Sequence, residues 1–118
     1  MRQDLLSLLE ERHRLVLAAS PDISCGDGWF NLLDCLLEAL AATSDADSKP
    51  IRAESAKSKY GSLRIDWMGR SQNAESLIQM TELISERTCE LCGKPGTQVD
   101  RAGWISVACD EHNQTNLP

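Results

Sequence analysis

The chain has 118 residues, 42% of them hydrophobic and 25% charged, with a formal net charge of −6. That length suits one domain with a modest core, and no apolar run reaches the roughly 18 residues that a membrane span needs. The opening stretch "MRQDLLSLLEERHRL" has acids inside its apolar pattern, so it reads as neither a span nor a secretory signal.

Charge is unevenly spread. Residues 1–43 hold 3 Lys/Arg and 7 Asp/Glu, residues 44–73 hold 6 and 4, and residues 74–118 hold 3 and 7. Acidic ends thus flank a mildly basic middle, a balance that counts against an extended nucleic-acid footprint.

In chain order, residues 4–19 place Leu5, Leu8, Leu9 and Val16 at helical spacing, and Ser20-Pro21 ends the run. This predicts a first amphipathic helix. His13, between Arg12 and Arg14, is expected on its solvated face as a surface residue, not a ligand. Residues 28–43 predict a second helix capped by Asp27, with Trp29, Leu32, Leu33, Leu36, Leu37 and Leu40 forming a broad apolar stripe at the centre of the core. Trp29 and Phe30 are read as core anchors rather than a binding pair. Cys25 and Cys35 lie in apolar contexts and are read as small buried hydrophobes.

The polar run "TSDADSKP" reads as an exposed loop. The period then changes to two: Leu63, Ile65 and Trp67 alternate with Arg64 and Asp66, which predicts a hairpin over about residues 51–68 with its turn near "SKYG". Arg52, Lys57, Lys59, Arg64 and Arg70 make this the basic zone. A charged outer face with edge lysines explains it as solubility and protection against aggregation, and Lys57, Lys59 and Arg64 are the candidate contacts if nucleic acid binds. Residues 74–88 predict a third helix, with Leu77, Ile78, Thr81 and Ile84 facing inward and Glu75, Glu82 and Glu86 facing away. The tail from residue 113 to 118 is expected to be loose.

The fold class expected is α+β. It comprises two N-terminal helices, a β-hairpin and a third helix in a core over residues 1–88, with a zinc-knuckle hairpin over residues 89–112 packed on that core.

The chemistry-bearing pattern is "TCELCGKPGTQVDRAGWISVACDEH": C-x2-C, sixteen residues, then C-x2-H. Each pair can present two donors from one tight turn, and the intervening hairpin need only bring the pairs together around a tetrahedral ion, so Cys89, Cys92, Cys109 and His112 are expected to bind one Zn2+. Gly93 suits the turn after the second cysteine. Val99, Trp104, Ile105 and Val107 flank "DRAG" as a hairpin, with Trp104 and Ile105 expected to shield the site or dock it on the third helix. Four protein donors leave no place for water, which points to a structural ion. A zinc deaminase would carry H-x-E before P-C-x-x-C, and a His-Asn-His nuclease would need a histidine inside the hairpin, where residues 93–108 have none. With His13 and His112 the only histidines, little remains for acid–base catalysis, and the chain reads as not an enzyme.

The blocks "GWFNLLDCLLEAL", "KSKYGSLRID", "TCELCGKPG" and "GWISVACDEH" resemble a group of short proteins, mostly from phages and prophages. Their matching blocks run GW-x2-L, K-x-G-G-L-R and a terminal C-x2-C-G…C-x2-H finger. The resemblance spans residues 28 to 112, the finger being its most specific part, and departs at Tyr60-Gly61-Ser62, where the group commonly has a further glycine. It implies a setting, a mobile element in a bacterium, and no particular activity.

Size, acidity and setting together lead to an expected function: a zinc-stabilised protein-binding module in the bacterial cytoplasm that inhibits a defence system of CRISPR or restriction type. Its candidate partner contacts are Glu75, Glu82 and Glu86. The alternatives are a nucleic-acid-binding regulator using the finger and basic hairpin, and a structural or assembly accessory of a phage. Against the first alternative, three thiolates outweigh the charge of one divalent ion, so the finger itself is locally acidic.

Overall fold

The computed structural model describes residues 1–43, 50–69 and 71–115. The expected loop at 44–49, Arg70 and the end of the tail at 116–118 lie outside the described residues. Helix α1 (Gln3–Arg12) leads into strand β1 (Leu17–Ser24), a single 3-10 turn (Asp27–Trp29) and helix α2 (Phe30–Thr43). Strands β2 (Arg52–Lys59) and β3 (Ser62–Met68), helix α3 (Gln72–Ser85), strands β4 (Thr97–Arg101) and β5 (Trp104–Ala108) and helix α4 (Asp110–Thr115) follow. The class is α+β, with a three-stranded sheet ordered β1-β2-β3 and a two-stranded sheet β4-β5. Among the described residues no helix is long and apolar enough to cross a membrane.

The hairpin forms as its alternation predicts. β2 and β3 pair antiparallel from Lys59↔Ser62 to Arg52↔Met68, joined by a two-residue turn in which Tyr60 (φ 55°) and Gly61 (φ 73°) are both left-handed. Two positive φ values give the turn whose twist matches the strands. Ala56, Leu63 and Ile65 face inward and are buried, whereas Lys57, Lys59, Arg64 and Asp66 are exposed on the other face. Trp67 is only partly buried against the core.

The N-terminal segment departs from the expected helix. Helix α1 stops at Arg12, and residues 17–24 form β1, which runs parallel to β2 with a bulge between Leu17 and Asp22. The cause is His13: far from being a surface residue, it is 8% exposed, and its Nε2 lies 2.7 Å from Asp34 Oδ1 of α2. Arg12 reaches the other oxygen of Asp34 at 2.9 Å. With His13 anchored, Val16 and Leu17 enter the core and the Ala53 amide donates to the Val16 carbonyl at 2.7 Å. β1, α2 and β2 therefore make a parallel strand–helix–strand unit.

Trp29, Leu33, Leu36, Leu37 and Leu40 are all at or below 3% exposure and, with Leu9, Ile51, Leu63 and Ile78, make up the core. Asp27 does not cap α2 with its side chain. Gly26 precedes the 3-10 turn, and Asp27 Oδ1 instead accepts the Arg2 amide at 2.8 Å. Cys25 is buried as expected, but Cys35 is exposed because it falls on the outer side of α2.

Helix α3 is capped by Ser71, whose Oγ accepts from the Ala74 amide at 3.1 Å, and buries Ala74, Ile78, Thr81 and Ser85. Ile84, expected inside, is exposed. The free edge of β3 accounts for the rotation: the Leu63 amide donates to Ser85 Oγ at 2.8 Å and the Ile65 amide to Glu82 Oε2 at 3.1 Å. The helix thus turns its polar flank, not only its apolar one, towards the sheet and closes an edge that would otherwise offer unpaired amides.

Candidate metal centre

The centre is built from two short turns. After α3 the chain forms a bridge between Thr88 and Pro95, the Cys89 amide donates to the Lys94 carbonyl at 2.7 Å, and the Gly93 amide donates to the Cys89 carbonyl at 2.9 Å. Gly93 has φ +83°, which only glycine adopts without strain. β4 and β5 then return the chain, so that Cys109 stands just before α4 and His112 lies within its first turn. The Asn113 amide bonds the Cys109 carbonyl at 2.8 Å, and Arg101 holds Asn113 Oδ1 at 2.8 Å. Residues 113–115, expected to be loose, thus belong to the helix that carries the fourth donor.

The four donor atoms of Cys89, Cys92, Cys109 and His112 lie within 4.8 Å of one another. The Cys92 and Cys109 sulfurs are 3.7 Å apart, and His112 Nδ1 is 3.4 Å from the Cys89 sulfur and 3.2 Å from that of Cys109. Metal–sulfur bonds of about 2.3 Å and metal–nitrogen bonds of about 2.0 Å in a tetrahedron require donor separations of roughly 3.5 to 3.8 Å. The Cys92–Cys109 pair meets that range and the two imidazole contacts fall just short of it, so the four residues are close enough together to hold a metal ion.

Electrostatics agrees with that reading. Burial opposes ionisation of Cys89, yet amide donors from Cys109, Cys92 and Leu91 outweigh it and bring its thiol down to about 6. Cys92 takes the Lys94 amide, but desolvation and the neighbouring Cys89 and Cys109 sulfurs raise its thiol. Adjacent thiolates repel unless a cation lies between them.

The knuckle is fastened to the core by a residue that the sequence does not single out. Glu90 sits between the first two cysteines. Its backbone amide bonds Val107, its carbonyl accepts the Gly28 amide at 2.8 Å, and its carboxylate accepts from the Gly26 amide at 3.1 Å and the Ser58 hydroxyl at 2.9 Å. Trp29 Nε1 donates to the Thr88 carbonyl at 2.9 Å. A β-carbon on Gly26 or Gly28 would collide with the Glu90 and Cys89 carbonyls respectively. The spacing of "CGDGW" thus reflects close backbone approach, and those two glycines are the signal in the sequence that something must press against them.

Other expected site residues are distributed differently. Trp104 does not shield the cluster; it is 76% exposed at the start of β5. Ile105 and Gln98 instead face the hairpin turn, where Gln98 Nε2 donates to the Gly61 carbonyl at 2.9 Å. Glu75 is exposed, whereas Glu82 accepts from Ile65 and Glu86 accepts from the Ser62 hydroxyl at 3.4 Å, so these two acids hold α3 to β3. Lys57, Lys59 and Arg64 lie together on the open face of the sheet. In comparisons with known proteins, the chain matches no family model, no curated protein and no solved structure.

Proposed function

We propose that the cluster binds one structural zinc ion and that the chain is a non-catalytic protein-binding module. Three thiolates and an imidazole this close together suit zinc, whereas calcium and magnesium take oxygen donors. Four protein donors fill a tetrahedron and leave no position for water or substrate, so the ion stabilises shape. Its binding free energy goes into holding the knuckle, and through Glu90 and Trp29 the knuckle supports the turn that opens α2.

The observation that carries the protein-binding reading is on α3. Met80, Leu83 and Ile84 are 56%, 47% and 43% exposed, and their spacing puts them on one helix face, with Arg87 one turn on. These three large apolar side chains, about half exposed, stand outside the core cluster, and such a strip suits a partner's apolar groove. Glu75 is exposed on the same helix but on a different flank from this strip, so the strip itself is the proposed contact.

The setting we propose is a phage-encoded inhibitor of a bacterial defence complex, of CRISPR or restriction type, acting in the host cytoplasm. It is supported by the small size, the net charge of −6 and the resemblance to phage and prophage proteins. An acidic protein can occupy a surface meant for nucleic acid.

The test is affinity capture from a bacterial host carrying such systems, with wild type and with Leu83→Glu combined with Ile84→Glu, before and after nuclease treatment. One protein complex held by wild type, lost by the folded variant and unaffected by nuclease is expected. Equal recovery by the variant, or recovery abolished by nuclease, would refute the reading.

A further inference from the structure

The uncovered face of the three-stranded sheet carries a second feature, independent of the strip on α3. Lys57, Lys59, Tyr60, Arg64 and Asp66 line an open cleft of about 500 Å3. Three of its five residues are cationic, in a chain whose net charge is −6.

Two details run against what folding alone would favour. Lys57 and Arg64 are direct cross-strand partners, both exposed, and like charges directly opposite destabilise a strand pair. Asp22 offsets Lys57 at 3.1 Å, but Asp66 accepts from Ser55 at 2.9 Å, and among the described residues Arg64 has no ion pair. The second detail is Tyr60. It occupies a left-handed position, φ 55°, where Asn or Gly is less strained. Its ring is 68% exposed, and the Lys59 ammonium lies 5.8 Å from the ring centroid.

We propose that this cleft binds a short stretch of single-stranded nucleic acid, with phosphates on Lys57, Lys59 and Arg64 and one base stacked on Tyr60. Stacking on an exposed aromatic beside a cationic track is how unpaired strands are held on sheet faces. A duplex buries its bases from such a ring and calls for a wider positive footprint than this acidic chain offers. The metal hairpin supports the site without touching the strand: Gln98 holds the Gly61 carbonyl and Ile105 abuts Gly61, fixing the turn that presents Tyr60.

The experiment is fluorescence anisotropy of the zinc-loaded full chain with a labelled oligothymidine of about 12 nucleotides and a duplex of equal length, at roughly 50 and 200 mM salt. Preferred binding of the single strand is expected, weakening with salt. Lys57→Ala with Lys59→Ala should lower both affinity and salt dependence, the latter by about 0.7 unit per lost phosphate contact. Tyr60→Asn keeps a turn of the same type and should raise thermal stability while lowering affinity roughly five-fold or more; Tyr60→Phe should retain binding. Absent binding, equal binding of the duplex, or affinity indifferent to Tyr60→Asn would overturn the proposal. None of these outcomes depends on the protein partner, because Met80, Leu83 and Ile84 remain unchanged.

Discussion

The Ser58 hydroxyl of β2 donates to the Glu90 carboxylate of the metal knuckle at 2.9 Å, and the same carboxylate takes the Gly26 amide at 3.1 Å. One side chain therefore joins the sheet, the turn before α2 and the cysteine pair. Glu90→Ala should destabilise the protein by about 1–3 kcal/mol, the range for leaving partly buried donors without an acceptor. Urea unfolding of zinc-loaded protein measures it, and Glu90→Gln, which keeps an acceptor oxygen, should lose less.

Gly28 meets the Cys89 and Glu90 backbone, not a flexible side chain, so nothing nearby can yield to a methyl group. Gly28→Ala should therefore separate the knuckle from the core, lowering thermal stability and weakening metal retention in competition with a chelator. A variant indistinguishable from wild type in both would show that the two units are not pressed together as described.

The acids of α3 should divide into two kinds. Glu82→Ala leaves the Ile65 amide without its acceptor and should cost about 1–3 kcal/mol, while Glu75→Ala, exposed and accepting only from Gln79 of its own helix at 3.5 Å among the described residues, should fall within about 0.5 kcal/mol of wild type. Chemical denaturation of the two variants side by side checks this.

These acids also mark the limit of what the sequence discloses. An amphipathic reading of α3 turns Ile84 inward and all three glutamates outward, because it weighs only hydrophobicity. It has no way to register that the edge of β3 needs acceptors for Leu63 and Ile65. β1 is hidden for a related reason: "RLVLAA" suits a helix locally, and only the pairing of His13 with Asp34, 21 positions away, and a parallel partner in β2 draw it into a strand. By contrast, the β2–β3 hairpin depends on alternation and a two-residue turn, and the metal cluster on two matched pairs of donors. Both are local patterns, and both are legible. Glu90 resembles any exposed acid in a C-x2-C turn, and it is recognisable only once Gly26 and Gly28 are understood as a surface waiting for a backbone.

Thiol chemistry separates the five cysteines. Burial, reinforced by nearby Glu90, pushes the Cys25 thiol up to about 12, so it stays protonated and inaccessible at neutral pH, whereas Cys35 is exposed. Brief alkylation of zinc-loaded protein followed by peptide mass analysis should modify Cys35 alone. After chelation Cys89, Cys92 and Cys109 should react as well.

Leu36, 3% exposed on α2, tests the core itself. Leu36→Ala should cost roughly 2–5 kcal/mol, measured by denaturant unfolding with zinc present so that the metal contribution is held constant.

The proposed zinc ion holds the C-terminal third of the chain together. Elemental analysis of protein purified without added metal should find one zinc ion per chain, reduced to a small fraction in Cys89→Ser together with loss of order in the C-terminal third, because metal affinity in such sites is folding free energy. A chain that is fully folded, free of zinc and unchanged in stability when zinc is supplied would contradict it.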